Sequence, residues 1–289
     1  MSNPRPILCA GAVALALTAS ACGSSNDNKS SSSSSSSGDT TASAAKVTPP
    51  GSVKSSGKLI FCSDISYPPE EFFNGTTPVG SDIEIGTAIA QQMGVKATFD
   101  NTGFDGIIPA LQSKKCDAII SGMNDTPERA KQVDFVDYLN VGQSFMVQKG
   151  NSAGIHSIAD VAGKTVSVEV GTTNADFLKA QSKKLEAAGK KAITVQTFPK
   201  DTDAANALHT NKVDAYFGDA PVVAYYVQKA PDAFEFGGKA VNPIKVGIAV
   251  RKGDALKPAI SKAVTNLYSD GTIGKILAKW KLSESALKS

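Results

Sequence analysis

The chain has 289 residues, a formal net charge of +3, 41% hydrophobic and 20% charged residues. That mild charge, with no basic cluster interleaved with aromatics, excludes a nucleic-acid surface. The two histidines, His156 and His209, lie far apart with no cysteines or acids at ligand spacing, so no metal and no cofactor are expected.

Residues 1–21 carry one cation, Arg5, ahead of an apolar run over residues 7–19. The run is too short to span a bilayer as a mature helix and has the form of an export signal. It ends in Ala19-Ser20-Ala21-Cys22, which resembles the lipobox of bacterial lipoproteins, with alanine where that pattern prefers leucine. The resemblance implies that Cys22 is lipidated and becomes the N-terminus. An ordinary secretory signal cut near Ala21 is the alternative. Residues 22–57 then hold an unbroken serine run, 30–37, and almost nothing apolar. Such a segment cannot bury enough surface to offset its ordering entropy, so a flexible tether is expected.

The folded part is expected from residue 58 to residue 289, with no later run long enough to cross a membrane. Cys9 leaves with the signal. Cys62 and Cys116 would be able to pair in an oxidising compartment. Each sits in an apolar, strand-like run, and the expectation is two buried thiols.

Strand and helix then alternate. Residues 59–63 form a strand, 82–93 a helix stopped by Gly94, 95–99 a strand, 104–114 a helix and 117–121 a strand. Thr126-Pro127-Glu128-Arg129 opens another helix, with threonine as cap and proline at the first position. A second series follows: strand 165–169, helix 173–187, strand 193–198, helix 203–209, strand 214–218. Residues 245–250 are a strand, and helices continue to Trp280. Two βαβα runs predict two parallel-rich α/β lobes, with the chain returning to the first lobe at its end. Ligands of open α/β sheets bind beyond the carboxyl ends of the strands, which puts a site in the cleft between the lobes.

Several motifs occur in one order: Tyr67-Pro68-Pro69, residues 104–111, residues 117–123, residues 126–135, residues 170–173, Gly218-Asp219, residues 247–253 and Asp270-Gly271-Thr272. Together they resemble the polar amino-acid family of ABC-transporter solute-binding proteins, over nearly all of residues 58–282. The resemblance implies a periplasmic-binding-protein-like fold of type II, with lobe 1 from residues 58–145 plus 245–289 and lobe 2 from residues 146–244. Two crossings, near residues 143–149 and 241–245, would act as hinges. It also implies a monomer that delivers a free amino acid to a membrane permease driven by an ATPase.

An α-amino acid presents a carboxylate and an ammonium. A guanidinium in a bidentate pair and backbone N–H groups at a helix start suit the carboxylate. By resemblance Arg129 is that clamp, with Asn124 and Thr173 adding backbone donors. Asp219 takes the ammonium, helped by the Gly122 carbonyl, and it also stands where it would cap a helix before Pro221. The rings of Tyr67 and Phe104 sandwich the side chain. Three acids stand at or depart from the family's usual pocket positions: Asp64, Glu70 and Glu169. Clustered acids in a closed cleft want a cation, so a basic amino acid, arginine, lysine or ornithine, is expected, with a neutral polar one such as glutamine as the alternative. Outward-pointing Glu70 or Glu169 would weaken that inference, because one residue of offset reverses a side chain. A cyclohexadienyl-dehydratase family shares this fold, and Glu169 is the acid it would use. Asp219 with Arg129 instead hold a zwitterion unchanged, and no nucleophile–base pair stands out, so no enzyme is expected. A sensory partner of a receptor is the remaining alternative.

Overall fold

The computed structural model describes residues 45–287. The export signal, Cys22 and the serine run lie outside those residues. The chain enters its fold earlier than expected. Helix α1 occupies Gly51–Ser56, and Val47 and Val53 are buried in the same core as Ala90 and Met93. The Val47 N–H donates to the Gln92 carbonyl at 2.9 Å. Two valines in a polar stretch suffice to tie residues 47–57 down, so the tether expected to reach residue 57 is shorter.

Strand β1 (Lys58–Ser63) leads into a small antiparallel sheet of β2 (Ser66–Tyr67), β3 (Glu71–Asn74) and β4 (Thr77–Val79). Helix α2 (Ser81–Gln92) buries Ile85 and Ile89, and Gly94 follows at φ 67°, a conformation glycine adopts without strain. Then come β5 (Lys96–Asn101), a 3-10 turn at Phe104–Gly106, α3 (Ile107–Gln112), β6 (Ala118–Ile119) and α4 (Pro127–Ala130). The Thr126 hydroxyl caps α4 by accepting the Arg129 N–H at 3.2 Å.

The longest strand, β7 (Val133–Gln148), leads to β8 (Thr165–Glu169), α5 (Thr173–Ala187), β9 (Thr194–Phe198), α6 (Asp201–His209), β10 (Ala215–Asp219), α7 (Ala220–Lys229) and β11 (Phe234–Phe236). Strand β12 (Val241–Arg251) and helices α8 (Leu256–Ser269) and α9 (Thr272–Lys279) close the fold.

The main sheet has the order β5-β1-β6-β12-β7-β10-β8-β9, with β11 on β7. Strands β1, β5 and β6 pair in parallel, as do β8, β9 and β10. The antiparallel pair β7 and β12 lies between the two sets. Residues 133–141 of β7 pair with β12, residues 143–146 pair with β10, and 146–148 with β11. One strand thus runs through both halves of the sheet. The two-lobed α/β class expected from the alternation is the fold observed. Ile248, Ile260 and Ile273 of the last elements share a core with Leu59 and Ile85. The other lobe has its own core around Val166, Val168, Leu178 and Phe217.

Cys62 and Cys116 are joined by a disulfide, not left as two thiols. Parallel pairing of β1 with β6 sets Cys62 beside Ile119 and brings the two Cα atoms to 5.6 Å, inside the range a disulfide spans. The bond closes a loop with a sequence separation of 54. A loop of that length restricts the unfolded chain by roughly 4 kcal/mol, on the order of 10 °C in Tm for a domain of this size. Calorimetry of the reduced protein, or of Cys62→Ala/Cys116→Ala, should show that loss. An unchanged Tm would mean that the bond contributes nothing.

Candidate functional site

The carboxyl ends of β1, β6, β8 and β10 converge on one cavity, around which the lobes leave about 280 Å³ of space not filled by atoms, open solvent included. Of the residues singled out in the sequence, Asp64, Tyr67, Phe104, Gly122, Asn124, Glu169 and Asp219 bound it. Both lobes contribute. Asp64 follows β1, Asn124 follows β6, Glu169 ends β8 and Asp219 ends β10.

The lobes touch at the rim. The Arg129 guanidinium bridges them: Nη1 donates to the Asn124 carbonyl at 2.9 Å and Nη2 to the Gly171 carbonyl at 3.1 Å. Its Cζ lies 5.2 Å from the Phe104 ring centroid. Arg129 does not itself bound the cavity, because two of its five donors are engaged across the rim. Thr173 also stands outside the wall. Its hydroxyl donates to Asn124 Oδ1 at 2.5 Å, again lobe to lobe. Thr172 caps α5 by accepting the Ala175 N–H at 3.1 Å, which leaves the N–H groups of Thr173 and Asn174 without acceptors among the described residues. Gly171 has φ 77°, and a Cβ there would come within 3.0 Å of the Asp105 backbone on the opposite lobe.

Tyr67 is buried among Met146, Ala204 and Tyr216 of the second lobe, and its hydroxyl accepts the Asp219 N–H at 3.4 Å. Its ring leaves Gly122, at φ 50°, no room for a Cβ: the contact would be 3.1 Å. Asp219 does not cap α7 with its side chain. Its Oδ1 accepts from Asn174 Nδ2 at 3.2 Å. Burial pushes the Asp219 carboxyl up to about 6, against Asn174, Tyr67 and Arg129, which favour the charged form.

Glu70, expected in the pocket, does not bound it. It is 2% exposed, and its neighbour Glu71 lines the cavity instead. Adjacent residues of extended chain face opposite ways, and Glu71 is the one set opposite Tyr67 in the β2–β3 ladder. Glu71, Ser121, Thr172 and Asn174 complete the wall. The sequence carried a signal for them, since each adjoins or lies within a motif already singled out, but not for their direction.

Four acids, Asp64, Glu71, Glu169 and Asp219, bound the cavity, with no lysine or arginine among its lining residues. Asp64 is held by the Ser66 hydroxyl at 2.7 Å and the Phe104 N–H at 2.8 Å, yet burial raises its carboxyl. Glu169 is raised well above the usual range by burial and then by the charges of Asp201 and Asp64. Glu71 Oε2, Glu169 Oε1 and Asn174 Oδ1 are buried acceptors without a partner among the described residues, as is the donor Asn124 Nδ2. Unpaired buried polar atoms are destabilising until something pairs them. Acceptors outnumber donors among these unpaired atoms of the wall.

A sequence profile of the bacterial extracellular solute-binding proteins, family 3, matches residues 59–283. This chain belongs to that family. It is 31% identical over 229 residues to the ABC transporter arginine-binding protein 1 of Escherichia coli, covering 77% of this chain and 90% of that one. It is 30% identical over 232 residues to the L-cystine-binding protein TcyJ of Escherichia coli, covering 79% and 84%. Among solved structures, an ancestral arginine-binding protein bound to arginine matches with a TM-score of 0.71 and 39% identity, covering 78% and 98%. The relatives compared are binding proteins of amino-acid transport. Among the described residues no helix is long and apolar enough to cross a membrane, and no group of three metal-ligating side chains occurs.

The buried acids make ligand-free stability depend on pH. Burial, opposed by the Tyr216 and Tyr226 hydroxyls, raises Asp201 to about 7, and Asp219 lies at about 6. Unfolded aspartate titrates near 4. The folded chain therefore holds more protons than the unfolded one between about pH 4 and 7, and stability falls as pH rises through that window. The Tm of ligand-free protein should be higher at pH 5 than at pH 7.5, and Asp201→Asn should flatten the difference. A Tm that rises with pH would contradict the burial assigned to these groups.

Proposed function

We propose that the protein is the extracytoplasmic solute-binding lipoprotein of an ABC importer and that it captures a free basic L-amino acid, arginine, lysine or ornithine. The observation that carries the ligand class is the excess of unpaired acceptors on a cavity bounded by four acids. Arg129 grips the ligand carboxylate through its remaining N–H donors, with backbone N–H groups of Asn124 and Thr173. Asp219 takes the ammonium with the Gly122 carbonyl. Phe104 and Tyr67 flank the side chain, whose cationic end meets Asp64 from one lobe and Glu169 from the other. A cation between those carboxylates relieves the burial that raises both.

The ligand settles on one lobe, and the second closes over it. Lobe 1 comprises residues 58–145 and 245–289, lobe 2 residues 146–244, and the crossings of β7 and β12 act as hinges. Contacts made only in the closed form shift the open–closed balance. The carrier works as a monomer, handing its ligand to a permease coupled to an ATPase. Lipidated Cys22 holds it to the outer side of the cell membrane. No chemical step is assigned, because the Asp219 and Arg129 pair holds a zwitterion unchanged. A neutral polar amino acid is the second reading, favoured by the free Asn174 Oδ1, which would receive a side-chain amide, and by the likeness to a cystine-binding relative.

Calorimetric titration separates the two. Arginine should bind the wild-type protein more tightly than glutamine. Glu169→Gln should weaken arginine by tenfold or more, the loss of a charge-assisted hydrogen bond, and leave glutamine nearly unchanged. Equal affinities of both proteins for arginine would sink the acidic-pocket reading.

Closure has its own check. Gly171→Ala adds a Cβ at positive φ against the Asp105 backbone, so it should weaken ligand binding severalfold and also lower the ligand-free Tm by a few degrees. Unaltered affinity would show that the two lobes never come this close when loaded.

A further inference from the structure

A second groove, of about 870 Å³, is bounded by Pro69, Tyr225, Lys229, Lys279, Trp280 and Lys281. None of these residues bounds the ligand cavity. The two walls come from different lobes. Tyr225 and Lys229 lie on α7, and Lys279, Trp280 and Lys281 lie at the end of α9. Phe72 of β3 sits between them, its ring centroid 5.5 Å from Tyr225 and 5.8 Å from Trp280. Lys281, at φ 62°, reaches across and donates to Gln228 Oε1 on α7 at 2.8 Å. The groove therefore depends on the lobes being together. Opening would part Lys281 from Gln228 and Tyr225 from Phe72.

The rim is basic and the walls are aromatic. Lys279 is matched by Glu84 at 2.6 Å, and the Trp280 indole donates to the same carboxylate at 3.0 Å. Lys229 and Lys281 have no carboxylate within 4 Å among the described residues. Lys229 Nζ lies 5.5 Å from the Tyr225 ring centroid instead.

We propose that this groove is a docking surface for an acidic segment of the importer's membrane subunits, which recognises the closed form. The proposal rests on the transport reading above. Carboxylates of the segment meet Lys229 and Lys281, and its apolar side chains lie on Tyr225 and Trp280. Charge complementarity of this kind governs encounter and partner choice more than raw affinity. Because the groove needs both lobes, a partner that fits it distinguishes loaded from open carrier, and by reciprocity it favours the closed state.

The test uses the full chain in its own host. Removing the chain should abolish uptake of radiolabelled arginine, and the wild-type chain should restore it. At arginine concentrations that saturate each protein, Lys229→Glu/Lys281→Glu should restore less than a tenth of that uptake, whereas Lys229→Arg/Lys281→Arg should restore it fully. Lys229→Glu alone, at an exposed helical position, should show a several-fold loss and serves if the double variant does not fold. Full uptake with the charge-reversed chain would overturn the docking role. So would full uptake together with lysine-dependent sedimentation on phosphatidylglycerol vesicles, which would assign the groove to anionic lipid. Uptake of both arginine and glutamine that survives removal of the chain would overturn the transport reading and the docking role with it.

Discussion

Seven carboxyl groups, Asp64, Glu70, Glu71, Asp82, Glu169, Asp201 and Asp219, are no more than 3% exposed, and none has a lysine or arginine within 4 Å among the described residues. Burying charge without a partner is strongly unfavourable. The fold tolerates these acids by surrounding them with hydroxyl and backbone donors. Ser121 serves Glu71 at 2.8 Å, Tyr138 serves Asp82 at 2.6 Å, and Gly122 N–H serves Asp82 at 2.9 Å. Tyr216 and Tyr226 hold Asp201. The donors are neutral, so no cation offsets the cluster, and the carboxyls hold their protons more tightly than in water. The fall of ligand-free stability with rising pH follows from that cluster.

The acids divide by depth. Asp64, Glu71, Glu169 and Asp219 line the cavity, whereas Glu70, Asp82 and Asp201 stand behind its wall. Those behind raise the proton affinity of those in front, since Glu169 is pushed up by Asp201 and Glu71 by Asp82 after burial itself.

Two contacts of different kinds join the lobes on either side of the cavity. At the rim, Arg129, Asn124, Thr173 and Gly171 form a polar seam. Away from the ligand, Phe72 between Tyr225 and Trp280 forms an apolar one.

Much was legible before folding: the alternation of strand and helix and the two-lobed class, from period, the Thr126 cap and the stop at Gly94, and most of the cavity's residues, from motifs shared with a known family. Strands β2, β3, β4, β7 and β11 were not among the expected elements. Most expected boundaries fell within a few residues of the observed elements. The tertiary structure alone decided what depends on direction or on distant neighbours. It placed Glu71 rather than Glu70 in the wall, because a ladder partner sets which way an extended residue faces. It joined Cys62 to Cys116, because strands far apart in the chain became neighbours in one sheet. It drew residues 47–57 into the first core through two valines. It also made β7 one strand shared by both lobes, and it spent two donors of Arg129 on carbonyls of opposite lobes. Pairings between distant segments leave no local period in a chain, so they are legible only once it has folded.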